Sequence, residues 1–205
     1  METGMWITSQ PMQQHNERPI RGRHEPMSQS PACALCRSTK DPRPNRIGGI
    51  DLCRRCYDGG AVAAAHARGF RLRIECSIVG HGDNQFFVAK GNAAVAKPLF
   101  NASFRRKGLA SLAGLFGLTV RVQDPLFHKL GVIITRDKPR TRRFIDNDGV
   151  QSAVMDLLGE DVSVKIRRNG HVQVSGARKS DPFDQTSIER EVAVLLVHLD
   201  GYAEA

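Results

Sequence analysis

The chain holds one tryptophan and two tyrosines in 205 residues, and no apolar run long enough to cross a bilayer. Its longest uncharged apolar stretch, Gly108 to Val120, has 13 residues, three of them glycine, whereas a transmembrane helix needs roughly 20. Met1 to Gln10 lacks a basic segment followed by an apolar one, so no secretory signal is read there. No Gly-rich phosphate loop ending in Lys-Ser/Thr occurs, nor a Gly-x-Ser-x-Gly elbow, which removes the commonest signatures of nucleotide hydrolysis and serine catalysis. The few aromatics form no basic-aromatic repeat, so no base-stacking platform is expected. These absences point to a cytoplasmic protein without a transmembrane segment. An apolar fraction of 40% is still enough for a folded core.

Cysteine is scarce too, yet four of the five fall in one pattern: Cys33-x2-Cys36, sixteen residues, then Cys53-x2-Cys56. Each short pair lets one tight turn place two sulfurs on a single ion, and the loop between brings the second turn round. In a reducing compartment such pairs are metal ligands rather than disulfides. One structural Zn2+ is therefore expected on Cys33, Cys36, Cys53 and Cys56, since four thiolates leave no open position for catalysis. Cys76, on the apolar side of its strand, reads as a small buried hydrophobe.

Four thiolates on one divalent ion carry a net charge of −2. Arg37, Arg54 and Arg55 lie in or beside the two turns and offset it. A second reading has them, with Arg68, contacting nucleic-acid phosphates. Charge along the chain keeps that alternative open. Residues 1–60 sum to +3, residues 61–143 to +11, and residues 144–205 to −5. The basic middle third suits nucleic acid, an anionic surface or an acidic partner, or pairs internally with the acidic last third.

Residues 1–31, punctuated by Pro11, Pro19, Pro26 and Pro31, read as a disordered tail. Gly48-Gly49 turns into the short strand Ile50–Leu52 that delivers Cys53. Beyond Cys56, Asp58 as N-cap, an alanine run and Gly69 frame a helix. A knuckle, a hairpin and a second knuckle that opens a helix resemble the treble-clef class of zinc modules, over residues 32–69. That class spans DNA readers, ubiquitin-system modules and ribosomal proteins, so the resemblance implies a local fold and no activity.

From Phe70 to Ile78 apolar and polar residues alternate as in a half-buried strand, with Phe86–Lys90 as partner across a polar turn at 80–84. Leu118–Val122 and Val132–Thr135 read as further strands. Asp137 and Pro139 start a helix, and Val150, Ala153, Val154, Leu157 and Leu158 share one helical face. Asn169-Gly170 between two alternating segments is a hairpin signal. Thr186-x-x-Glu189 reads as a capping box before a last helix that buries Ile188, Val192, Leu195, Leu196 and Leu199. The Asp124-Pro125-Leu126-Phe127 turn, the following strand, Asp137, Arg143 and the hairpin also resemble a bacterial domain family of unknown function, over residues 118–176. That resemblance implies an α+β fold and no catalytic residues.

The expected organisation is a tail (1–31), a four-cysteine zinc module (32–69) and an α+β domain (70–205) with an antiparallel sheet packed by two to three helices. The expected function is a non-catalytic zinc protein serving binding or assembly with a protein partner. Nucleic-acid binding through the zinc module and basic middle region is the alternative. An enzyme with an unrecognised site is a third reading. It would need His81 and Asp83 to meet His128 or His171 in one cleft.

Overall fold

The computed structural model describes residues 32–39, 45–97, 99–107, 118–122 and 124–202. The expected tail at 1–31 and most of the apolar run, at 108–117, lie outside the described residues. The rest is α+β. A short hairpin, β1 (Asn45–Ile47) and β2 (Ile50–Leu52), precedes a wide helical turn at Cys56–Gly60 and α1 (Ala61–Ala67). Then come β3 (Arg71–Val79), β4 (Phe86–Ala94), β5 (Ala102–Arg106), β6 (Thr119–Val120), α2 (Pro125–Leu130) and β7 (Gly131–Thr135). The described chain closes with α3 (Lys138–Ile145), α4 (Asp148–Gly159), β8 (Val162–Ile166), β9 (His171–Arg178) and α5 (Gln185–Tyr202).

Strands β3 to β9 form one antiparallel seven-stranded sheet in the order β3-β4-β9-β8-β5-β7-β6. The hairpin β8–β9, the last pair in sequence, sits at the centre and joins the two halves made earlier in the chain. Its inward residues are Val162, Val164, Ile166, Val172 and Val174, all buried. Helices α4, α5 and α1 cover that face. Every second residue of a strand points to one face, so the other face carries the polar half of each alternation.

Several local signals hold. The expected turn at Asp124-Pro125-Leu126-Phe127 goes further and opens a helix, α2: Asp124 Oδ1 accepts from Leu126 N (2.6 Å) and Phe127 N (3.3 Å), and Phe127 is buried. Asp137 caps α3 through Arg140 N. The five residues expected on the inner side of α5 are all buried, and so are Glu191, Ala193 and Val194. This helix packs on β3 and β4 and also on its neighbours α1 and α4, so more than one side of it is apolar. Truncating one such leucine to alanine costs about 2–5 kcal/mol.

Other signals shift. Asp58 does not start a helix, because Arg54 is already helical and the Asp58 carboxylate takes its Nε at 3.3 Å. Thr186 lies inside α5 rather than capping it; Asp184 Oδ1 accepts from Ser187 N at 3.2 Å. Strand β4 runs four residues further than its pattern suggests, since its inward positions Ala89, Gly91 and Ala93 are too small to read as apolar. The small residue is needed: a Cβ on Gly91 would lie 2.2 Å from Ile74 Cδ1. Asn169-Gly170 is not a two-residue turn. Arg167 N donates to His171 O (2.8 Å), Gly170 N to Arg167 O (3.1 Å), and Gly170 takes a left-handed φ of 81°. Cys76 is half-buried rather than buried.

The β1–β2 turn packs on the start of α4. A Cβ on Gly149 would lie 2.2 Å from Gly48 O and 2.9 Å from His198 Cε1, whereas one on Gly159 meets nothing within 4 Å. In urea titrations Gly149→Ala is expected to lose about 1–3 kcal/mol. Gly159→Ala should be neutral or gain up to about 1 kcal/mol. Equal midpoints for the two variants would contradict the packing.

Glu191 is the buried carboxyl of α5. Its Oε1 accepts from Arg190 Nε at 3.5 Å, and its Oε2 has no partner among the described residues. Burial, then the charge of Asp156, push its pKa from 4.5 up to about 7 against the pull of Arg190. A carboxyl raised on folding favours the native state fully below its unfolded pKa, and that contribution is lost as pH rises through the folded value. Glu191→Gln should therefore raise stability at pH 8, on the order of 2 kcal/mol, with the gap closing toward pH 5. A gap that widens at low pH would overturn this assignment.

Candidate metal centre

The first cysteine pair sits on a tight turn. Arg37 N donates to Cys33 O (2.8 Å) and Cys33 N to Ser38 O (2.9 Å), with Arg37 in the left-handed region at φ 58°. Ala34 N donates to Asp51 O at 2.8 Å, which ties this turn to β2. Leu35, between the two cysteines, is buried in the core. The second pair follows the hairpin. Gly48 (φ 51°) and Gly49 (φ 74°) make a turn with two consecutive left-handed residues, the geometry that matches strand twist. Leu52 is wholly buried and anchors the end of β2, so Cys53 emerges at a fixed point. Tyr57 N donates to Cys53 O at 3.0 Å, placing Cys56 on the first helical turn.

The result is a single cluster. The four Sγ atoms all lie within 4.8 Å of one another, with Cys36 and Cys53 at 3.5 Å, and no disulfide joins them. Sulfurs about 2.3 Å from a tetrahedral zinc stand roughly 3.8 Å apart, so the donor set and spacing fit Zn2+. Cys33, Cys53 and Cys56 are buried and Cys36 is exposed. Among the described residues it is the one group of three or more Cys, His, Asp or Glu brought to metal-binding distance.

Without an ion the four thiols cannot all ionise. Burial raises Cys33, but backbone N–H groups of Cys36, Cys53 and Leu35 outweigh it and bring its pKa from 9.0 down to about 7. Burial pushes Cys56 well above the usual thiol range, reinforced by Cys53 and by the charge on Cys33. Burial also raises Cys36. A divalent cation reverses this balance, since a coordinating thiol is deprotonated outright.

The arginines separate into two groups. Arg37, Arg54 and Arg55 are exposed around the cluster. Arg68 is turned inward: it donates to Ala34 O, lies 3.5 Å from Asp200 Oδ2 and stacks over Phe70 at 5.2 Å. It thereby ties the first cysteine turn to α5. His66, although exposed, holds its Nε2 2.9 Å from Leu72 O and 3.3 Å from Leu72 N. His198 Nε2 donates to Gly48 O at 2.8 Å, and Arg190 stacks over Tyr57 at 4.5 Å. Nothing in the sequence marks Asp200, His198 or Arg190 as supports, because their partners lie far away along the chain.

The histidines considered for an active site stand on separate elements. His81 and Asp83 occupy the β3–β4 turn, His128 lies on α2, and His171 opens β9 opposite Ala94, at the other end of the β3–β4 hairpin. A hollow of about 560 Å³ does adjoin the cluster, walled by Cys36, Cys53 and Cys56 with Arg54 and Arg55 beside them. Among the described residues no helix is long and apolar enough to cross a membrane.

Comparison with protein-family models, with curated proteins and with solved structures returned no match.

Because these thiols must lose protons to bind metal, zinc affinity should fall as pH falls, most steeply below pH 7 where Cys33 also protonates. Competition against a chromophoric chelator between pH 6 and 8 reads this directly. An affinity independent of pH would show that thiolates are not the ligands.

Proposed function

We propose that this chain is a non-catalytic zinc protein in which one structural Zn2+, held by Cys33, Cys36, Cys53 and Cys56, fixes a treble-clef-like module used in binding or assembly. The observation that carries the reading is the convergence of four sulfurs from two separate turns within 4.8 Å. Four thiolates close a tetrahedral shell, which suits a structural ion. A segment as short as residues 32–69 needs such a staple, because it cannot bury enough apolar surface alone.

The zinc module would also act on the rest of the fold. Leu35, Leu52, Ala61 and Ala65 belong to the same apolar core as Val194 and Leu195 of α5. Arg68 and His198 add polar ties between the module and that helix. Binding energy for the ion is folding energy, so it would stabilise α5 as well as the cysteine turns.

Elemental analysis of the purified protein should give one zinc per chain, falling below that in Cys53→Ser. Chelation should expose residues 32–69 to protease first and lower the unfolding midpoint of the remaining chain. Protein that carries no zinc, or a Cys53→Ser variant with unchanged zinc content and midpoint, would falsify the reading.

A further inference from the structure

Among the described residues, one face of the seven-stranded sheet carries no helix, and pairing fixes what it presents. One transverse row runs from Lys90 on β4 through Ser175 on β9 to Ser163 on β8, and ends beside Arg105 on β5. The next row runs from Arg73 on β3 through Asn92 and Gln173 to Lys165 on β8. Lys90, Arg105, Lys165, Asn92, Gln173 and the serines line one shallow depression of about 600 Å³. Each row therefore joins two cations three strands apart, about 14 Å, with hydroxyl or amide groups between them.

The charge on this face is almost entirely of one sign. Arg71, Arg73, Lys90, Arg105 and Lys165 are exposed there, and Glu75 is the only acid in the seven strands. Glu75 stands opposite Lys90 in the register, yet its carboxylate is engaged by Arg73 at 2.6 Å. Arg71, Lys90 and Lys165 make no ion pair among the described residues. The acids of the C-terminal third lie largely elsewhere, Asp156, Glu189, Glu191 and Asp200 being on the helices that cover the opposite face. Internal pairing uses other cations: Arg68 and Lys97 meet Asp200, and Arg106 meets Asp161. Lys90 and Arg71 of the middle third and Lys165 of the last are thus displayed on this face rather than neutralised.

We propose that this sheet face binds the phosphate backbone of a nucleic-acid duplex. The proposal stands apart from the zinc reading and uses none of the cysteines. Paired cations with hydrogen-bond donors between them suit phosphate oxygens, which with the sugars take the majority of protein–DNA hydrogen bonds. A single strand would call for stacking surfaces, and Phe86, beneath Lys179 near the β3–β4 turn, is the only aromatic that the described strands offer on this face. Recognition is therefore by charge and backbone spacing, with little sequence preference.

The test uses the full zinc-loaded chain and fluorescence anisotropy, with a labelled 24-base-pair mixed-sequence DNA duplex (a length of about two helical turns), its single strand and phosphatidylserine vesicles as probes. Duplex binding at micromolar or tighter affinity in low salt is expected, with a log–log salt slope of about −3 to −4 for four contacted phosphates. Lys90→Glu/Lys165→Glu should weaken it at least tenfold and reduce the slope by about 2, while Arg54→Ala/Arg55→Ala leaves it within twofold. Zinc content and far-UV circular dichroism of each variant show that the fold persists; should the double glutamate variant fail that control, Lys90→Gln/Lys165→Gln replaces it with the same expectation. No duplex binding, single-strand or vesicle binding at equal or higher affinity, or loss through the Arg54/Arg55 variant alone would each overturn the proposal. Zinc content is read in the same samples, so failure here is distinct from failure of the metal reading.

Discussion

The burial of α5 on more than one side is the constraint around which the molecule is arranged. Residues 191–196 are buried without interruption because the helix packs on the sheet and also on the elements that carry and follow the cysteines. Apolar area removed from water on these sides supplies the driving force. It also imposes conditions on the neighbours. Gly48 and Gly149 must be small for the β1–β2 turn to reach Val194 and α4. Inward residues of β4 must be alanine or glycine where they meet β3 and the helix layer.

The same helix links the candidate metal centre to the sheet. Arg68 ties the first cysteine turn to Asp200, His198 holds the β1–β2 turn, and Arg190 stacks on Tyr57 just past Cys56. The cysteine cluster is consequently one end of a packed assembly. Burial of Cys56 in the cluster opposes its ionisation, and a divalent cation relieves that conflict. Glu191 carries a similar tension within α5: a carboxyl held out of water beside Asp156, with Arg190 as its ionic support.

Charge is unevenly distributed, although α3 is itself basic with Lys138, Arg140, Arg142 and Arg143. The helices hold much of the acid of the C-terminal third, and the strands hold the exposed lysines and arginines of the open face. Antiparallel pairing with period-two alternation produces this, because a sheet covered on one side sends its polar residues to the other. Only the register shows that Lys90, Ser175 and Ser163 lie in one line, with Arg105 at its end.

Much was legible from residue order. The cysteine spacing specified which four sulfurs converge, because two short pairs come together only by making two tight turns. Alternation located β3, β8 and β9, and Asp137 located the start of α3, since capping and pleat are local physics; the Asp124-Pro125-Leu126-Phe127 segment read as a turn and opens a helix. Positions governed by distant neighbours were not legible. Phe86–Ala94 looked shorter because close packing demanded Ala and Gly where alternation would show Val. The Asn169-Gly170 turn is longer than the pair alone suggests, and its Gly170 O accepts from Val95 N, a distant residue. Arg68, considered with Arg37, Arg54 and Arg55 as a phosphate contact, stands beside Ala34 and Asp200, which its place in the sequence does not show. The sequence by itself determined the α+β class, the four sulfurs and the amphipathic faces, all of which follow from spacing along the chain. Tertiary structure alone decided that α5 binds the module to the sheet and that the basic residues share one open face, because both rest on contacts between segments far apart in sequence.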